Sequence, residues 1–279
     1  MHAWEIPIFI FIGYLISKFI EPYRRFLKLV TIDVLLPAYI FFVAQSGINL
    51  SHLYAFVIGM VASILGIIGA YILFRRSKYL REAMILSSLG NCVVFGFPAI
   101  ISLNLPIEVG VVYVQGHNIV ALSLMPFLAT LNKNNLKTGV INAIKNPLII
   151  AFFLGLAISF TGVFSSIVGL AKHYLGYSFY ILLIYFGSGI RKGSFSKELT
   201  LGVGLTKMVI PSLFVIVAYI LGINWNIISV SLLLSLTPPA ILTNAIIAHY
   251  NLKEEESVFT TLVLTMVSLG IILLVGLLY

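Results

Sequence analysis

The chain has 279 residues, 60% of them hydrophobic and only 9% charged, with a mean hydropathy of +1.10. That excludes a soluble domain and leaves a polytopic membrane protein, because each bilayer crossing uses roughly 20 apolar residues and the length then allows about ten spans with short loops. The formal charge of +8 does not point to nucleic acid, since the bases stand singly between apolar runs and form no basic face. The expected environment is the lipid bilayer. Cys92 is the only cysteine, so no intrachain disulfide can form. The N-terminus has no basic region and no small-residue cleavage site before the first apolar run, and no removable signal peptide is expected.

In chain order, span 1 is predicted from about Trp4 to Ile20 and span 2 from about Phe26 to Ile48. Span 3 runs from about Leu53 to Phe74, span 4 from about Ala83 to Leu103 and span 5 from about Val109 to Leu131. Pro147 sits where the first turn of span 6 begins, and that span ends near Phe160. Span 7 covers about Phe164 to Ile190, with Lys172 and His173 placing its first turns near the interface. Spans 8, 9 and 10 cover about Leu199 to Leu221, Trp225 to His249 and Val258 to Tyr279.

Bases collect after the odd-numbered spans: Lys18, Arg24, Arg25 and Lys28; Arg75, Arg76, Lys78 and Arg81; Lys133, Lys137 and Lys145; Arg191, Lys192 and Lys197; then Lys253. The loops after spans 2, 4, 6 and 8 have none. By the positive-inside rule both termini are extracytoplasmic. Five spans per half is an odd number, so the halves, residues 1–135 and 136–279, enter the membrane in opposite orientations. An all-α fold of ten transmembrane helices in two inverted five-helix repeats is expected, with corresponding spans offset by roughly 140 to 150 residues.

Two spans are interrupted. Span 4 contains Gly90, Asn91, Gly96 and Pro98, and span 9 contains Thr237, Pro238 and Pro239 ahead of Thr243 and Asn244. Gly and Pro break helices, and broken backbone at membrane depth persists only where protein buries it or it lines a cavity. Matched breaks in two halves point to a transporter's substrate site. Pro98 and the Pro238–Pro239 pair are expected to start second half-helices, whose N-termini each carry about half a positive charge and together suit a carboxylate. Asn91 and Asn244 supply amide donors there, with Thr243 and Ser235 nearby. In span 5, Gln115 and Asn118 are expected as pocket walls, and His117 as either a packing residue or a contact for substrate or a proton. Lys207, a third of the way into span 8, is expected to snorkel to the interface. No HExxH, GxSxG or GxxxxGK[ST] motif is present, so neither enzyme, cofactor nor metal is expected.

GNCVVFGFP in span 4 resembles the N-x-x-x-x-G-x-P crossover of the auxin efflux carrier family, which includes plant auxin exporters and prokaryotic malonate- and malate-type carriers. PPAILTNAIIAHYNL is similar to that family's ninth-helix crossover, KNPLIIAFFLGL to the start of its second half, and DVLLPAYIF to its second helix. The resemblance covers the whole chain. It implies a scaffold domain (spans 1, 2, 6 and 7) and a mobile transport domain (spans 3–5 and 8–10), an elevator mechanism and often a homodimer. Carried over, Asn91 and Pro98 fall on the first crossover and Pro238 and Pro239 on the second. The long cytoplasmic loop of the long plant members is missing, so the implied cargo is a small organic anion rather than auxin in particular. Two alternatives remain: a sodium-coupled symporter of the bile-acid type, which uses an acid that Ser229 to His249 here lack, and a non-transporting membrane receptor or assembly protein.

Overall fold

A computed structural model describes residues 4–45, 50–131, 135–189 and 194–278. Most of these residues are helical. Its helices are α1 (Glu5–Leu15), α2 (Ser17–Tyr23), α3 (Arg25–Gln45), α4 (Leu50–Phe74), α5 (Leu80–Ser88), α6 (Cys92–Ser102) and α7 (Ile107–Thr130). Then follow α8 (Asn135–Ile144), α9 (Pro147–Ser159), α10 (Ser166–Ser188), α11 (Lys197–Ile220), α12 (Trp225–Ser235), α13 (Ile241–His249) and α14 (Glu254–Leu277). Among the described residues, α3, α4, α7, α10, α11 and α14 are the 6 helices long and apolar enough to cross a membrane. The α1–α2 pair, bent by 69°, makes a seventh if it is one span. The predicted fourth and ninth spans are each two short helices, α5 with α6 and α12 with α13, and the sixth is the 13-residue α9. One expected loop is instead a helix: α8 fills most of the predicted gap between spans 5 and 6 and folds back on α7, with Gly139 against the backbone of Ser123.

Polarity is arranged inside out. Ile64, Ile68 and Ile72 of α4 and Leu213, Ile216 and Ile220 of α11 are exposed, whereas His117, Gln115 and Lys207 are buried. Apolar surface facing outward and polar groups facing the bundle interior are what a lipid solvent demands, and the protein is membrane-embedded. Helices meet through small residues, which substitute backbone proximity for the hydrophobic driving force that lipid does not supply. Gly59 of α4 lies against the backbone of Tyr113 and Gly116 of α7 against that of Phe56. Gly13 of α1 and Gly187 of α10 do the same against Ile184 and Ile10. α3 packs on α9 and α10, while α4 packs on α5, α7 and α11.

Three helices contain a widened, π-type stretch: Leu29–Leu35, Cys92–Gly96 and Gly204–Val209. Each ends two residues before a proline, Pro37, Pro98 and Pro211. A proline ring collides with the carbonyl four residues earlier, here that of Asp33, Val94 or Lys207, and all three carbonyls lie inside the widened stretches. Shifting to an i→i+5 pattern, as in Gly96 N–H to Asn91 C=O at 3.1 Å, relieves that collision without breaking the helix.

Candidate functional site

The site begins with two helix ends. After Ser88 the backbone of Leu89 turns extended (φ −132°, ψ 118°), and α6 resumes at Cys92. After Ser235 the chain leaves α12, and α13 resumes at Ile241 behind an extended Ala240 (φ −71°, ψ 148°). Pro238 and Pro239 enforce this second extension, because the residue before a proline is driven out of the helical region. The two extended pieces cross and pair antiparallel, Gly90 opposite Pro239. Asn91 N–H donates to Pro238 C=O at 2.7 Å and Ala240 N–H to Leu89 C=O at 2.9 Å. Proline suits this register, since position 239 faces away from the partner strand and needs no N–H.

Neighbouring helices satisfy the remaining backbone. Gly90 N–H, directed outward, donates to His117 Nε2 at 2.9 Å, and the other ring nitrogen, Nδ1, lies 3.2 Å from Gly59 C=O. That pairing makes Nδ1 the donor and the imidazole neutral. Ser63 Oγ donates to Ser88 C=O at 2.7 Å, closing the end of α5. Ser268 Oγ donates to Leu236 C=O at 2.7 Å. Lys207, 2% exposed, donates from Nζ to Ser235 C=O at 3.2 Å, closing the end of α12. Lys207 therefore does not snorkel. Its widened turn and Pro211 aim it inward, and no described residue gives it a carboxylate: of the nine acids Glu82 alone is buried, and it accepts Lys253 N–H.

Gly90 leaves room for two side chains at the crossing. A Cβ there would sit 2.7 Å from Thr237 Oγ1 and 2.8 Å from both Cε and Nζ of Lys207. Thr237 in turn donates to Leu234 C=O and lies 3.4 Å from Cys92 Sγ. Tyr113 reaches Ser235 Oγ at 3.3 Å.

The predicted residues divide. Asn91 is in the crossing, and its amide nitrogen is buried with no hydrogen-bond partner among the described residues. Pro238 and Pro239 form the crossing strand itself rather than the first turn of a half-helix. Pro98 is a correction: α6 restarts at Cys92, so Pro98 lies inside it and shapes the widened turn. Gly96 belongs to that turn, packed against Leu234. Thr243 returns its hydroxyl to Ala240 C=O at 2.5 Å. Asn244 Nδ2 donates to Thr261 Oγ1 at 3.0 Å, and this pair lines a cavity of about 210 Å³ with Phe186, Ile241, Ala245 and Val258. Gln115 is buried with neither amide atom partnered among the described residues, and Asn118 is buried beside His117. A second cavity, of about 310 Å³, lies between Tyr39, Ile101 and Tyr180, next to the Lys172–Glu108 ion pair at 2.6 Å. Sequence reasoning passed over Ser63 and Ser268 and sent Lys207 to the interface instead of the crossing. For Lys207 a signal was present: it is a base well inside an apolar run, with a proline four residues on.

Fold and site define an all-helical membrane protein with two broken helices crossed in its interior. Compared with protein-family models and with curated proteins, the sequence matches none.

Proposed function

We propose that the protein is a secondary transporter of the auxin efflux carrier type, multi-pass in the cell membrane, moving a small organic anion, a carboxylate, by an elevator mechanism. The crossing carries this reading. Two half-helix N-termini, α6 and α13, adjoin one buried point beside Asn91 and Lys207, which is an electropositive locus with a free amide. Ten spans in inverted repeats, with both termini outside, are part of the proposal. Supporting it, Ser63 on α4 meets Ser88 just as Lys207 on α11 meets Ser235, positions roughly 140 to 150 residues apart.

The scaffold in this reading is α1, α3, α9 and α10, and the rest from α4 onward, α8 apart, is the moving part. The rings of Tyr39 and Phe179 on one side and Phe97 on the other close the seam between them, with centroids 6.5 Å and 6.0 Å apart across it. Sodium has no carboxylate to bind at the crossing, so transport does not require it. Purified protein in proteoliposomes, offered labelled mono- and dicarboxylates including indole acids, tests this. Uptake should persist with choline replacing sodium on both sides. Collapse in choline would move the chain to the sodium-symporter class, and ligand stabilisation without any flux would make it a receptor.

A further inference from the structure

Lys207 brings a titratable amine into the crossing. The carbonyl end of α5 is closed by a neutral hydroxyl, Ser63, while the carbonyl end of α12 is closed by an amine with two further hydrogen-bonding positions. Ionisable groups inside a membrane protein mark ion and proton paths by default. Holding that amine as an ammonium with only a neutral carbonyl beside it is costly, and a carboxylate arriving next to it removes the cost.

The other titratable groups facing it are Cys92 on α6 and Tyr113 and His117 on α7. His117 has both ring nitrogens committed to backbone, Gly90 N–H and Gly59 C=O, so taking up a proton would break its contact with the crossing. The Cys92 thiol lies against Leu234 C=O and Thr237, and the Tyr113 hydroxyl against Ser235. Lys207 can gain or lose a proton, still donate to Ser235 C=O in either state, and leave the paired strands intact.

We propose that Lys207 is the proton carrier of the transport cycle. The amine takes one proton from water on the side where the anion enters, ammonium and carboxylate cross as a neutral pair, and both proton and anion are released on the other side. This inference rests on the anion-transport reading, and the experiment separates the two. Proteoliposomes with trapped pyranine are given the carboxylate panel, with uptake and internal acidification recorded together under an imposed pH gradient. The parent should acidify the lumen in step with uptake, and a proton gradient directed inward should speed uptake at least tenfold. Lys207→Arg, permanently charged, should keep stabilisation by the same carboxylate and lose the gradient effect. Lys207→Met should lose both, while His117→Gln keeps the gradient effect. Uptake by the parent without acidification overturns the proton role and leaves anion transport standing, whatever the variants do. Parent-like coupling in folded Lys207→Met, or loss of coupling in folded His117→Gln, also overturns it. A parent that neither binds nor moves any carboxylate overturns the anion reading and this inference together.

Discussion

The two breaks solve one backbone problem with different chemistry. At the first, α5 ends on Ser88, whose carbonyl accepts a hydrogen bond from the Ser63 hydroxyl, and the N–H of Gly90 donates to a neutral imidazole. At the second, α12 ends on Ser235, whose carbonyl accepts a hydrogen bond from the amine of Lys207, and the next carbonyl, of Leu236, accepts one from Ser268. A hydroxyl closes the helix in one place, whereas the other uses an amine, which can also take up a proton. The first break also supplies what the second lacks: a residue without a side chain, Gly90, in whose space the end of Lys207 and Thr237 lie. An amine from one half of the chain thus lies where the other half has no side chain.

The sharpest way to break this comparison is to fill that vacancy. Gly90→Ala puts a methyl group within 2.8 Å of Lys207 Nζ and 2.7 Å of Thr237 Oγ1. The side chain of Lys207 must move or the strands must part, and overpacking a closed interior costs about 1–3 kcal/mol. Transport should be lost altogether, with thermal stability of the detergent-purified protein reduced. Gly90→Ala protein with parent uptake would show that the Gly90 vacancy is not what positions the amine.

A smaller effect separates two asparagines that sequence reasoning treats as a pair. The Asn91 amide nitrogen is buried without a partner among the described residues, whereas Asn244 is held by Thr261. Asn91→Ala should therefore leave stability near the parent's and weaken carboxylate binding by roughly ten- to a hundredfold, the loss of one hydrogen bond to a desolvated anion, about 1.5–3 kcal/mol. Asn244→Ala should show the reverse, parent affinity with stability lowered by about 0.5–1.5 kcal/mol. Calorimetric titration and thermal denaturation of both variants decide it. An exchange of the two phenotypes would move the binding locus away from the crossing, toward the Asn244 cavity.

Much of this was legible in the residues and some was not, for physical reasons. Gly90, Asn91 and the Pro238–Pro239 pair announce broken helices because each acts on local backbone angles, which depend on neighbours in sequence. The antiparallel pairing of the breaks is a tertiary contact between residues 90 and 239, and no local rule contains it. Pro98 misleads for a related reason: a proline inside a helix can be absorbed by a widened turn, and Cys92–Gly96 absorbs it, so the break lies upstream. Lys207 misleads because distance along the span suggests snorkelling, while the direction of its side chain is set by the Gly204–Val209 turn and not by depth. α8 is hidden because its sequence, NLKTGVINAI, carries too few apolar residues to register as a span and gains its place from Gly139 against α7.

The smallest predicted effect is the control on which the comparison turns. Ser63→Ala removes the hydroxyl that closes α5 and leaves the Ser88 carbonyl to its remaining neighbours, at a cost of about 0.5–1.5 kcal/mol. Because that hydroxyl carries no charge, the variant should fold, bind the carboxylate with parent affinity and keep the parent's response to a proton gradient. Equal stability loss in Ser63→Ala and Lys207→Met, accompanied by loss of coupling only in the second, would separate helix closure from charge. Should Ser63→Ala lose the gradient response at parent-like stability, the two positions are functionally equivalent and the asymmetry between the breaks has no bearing on transport.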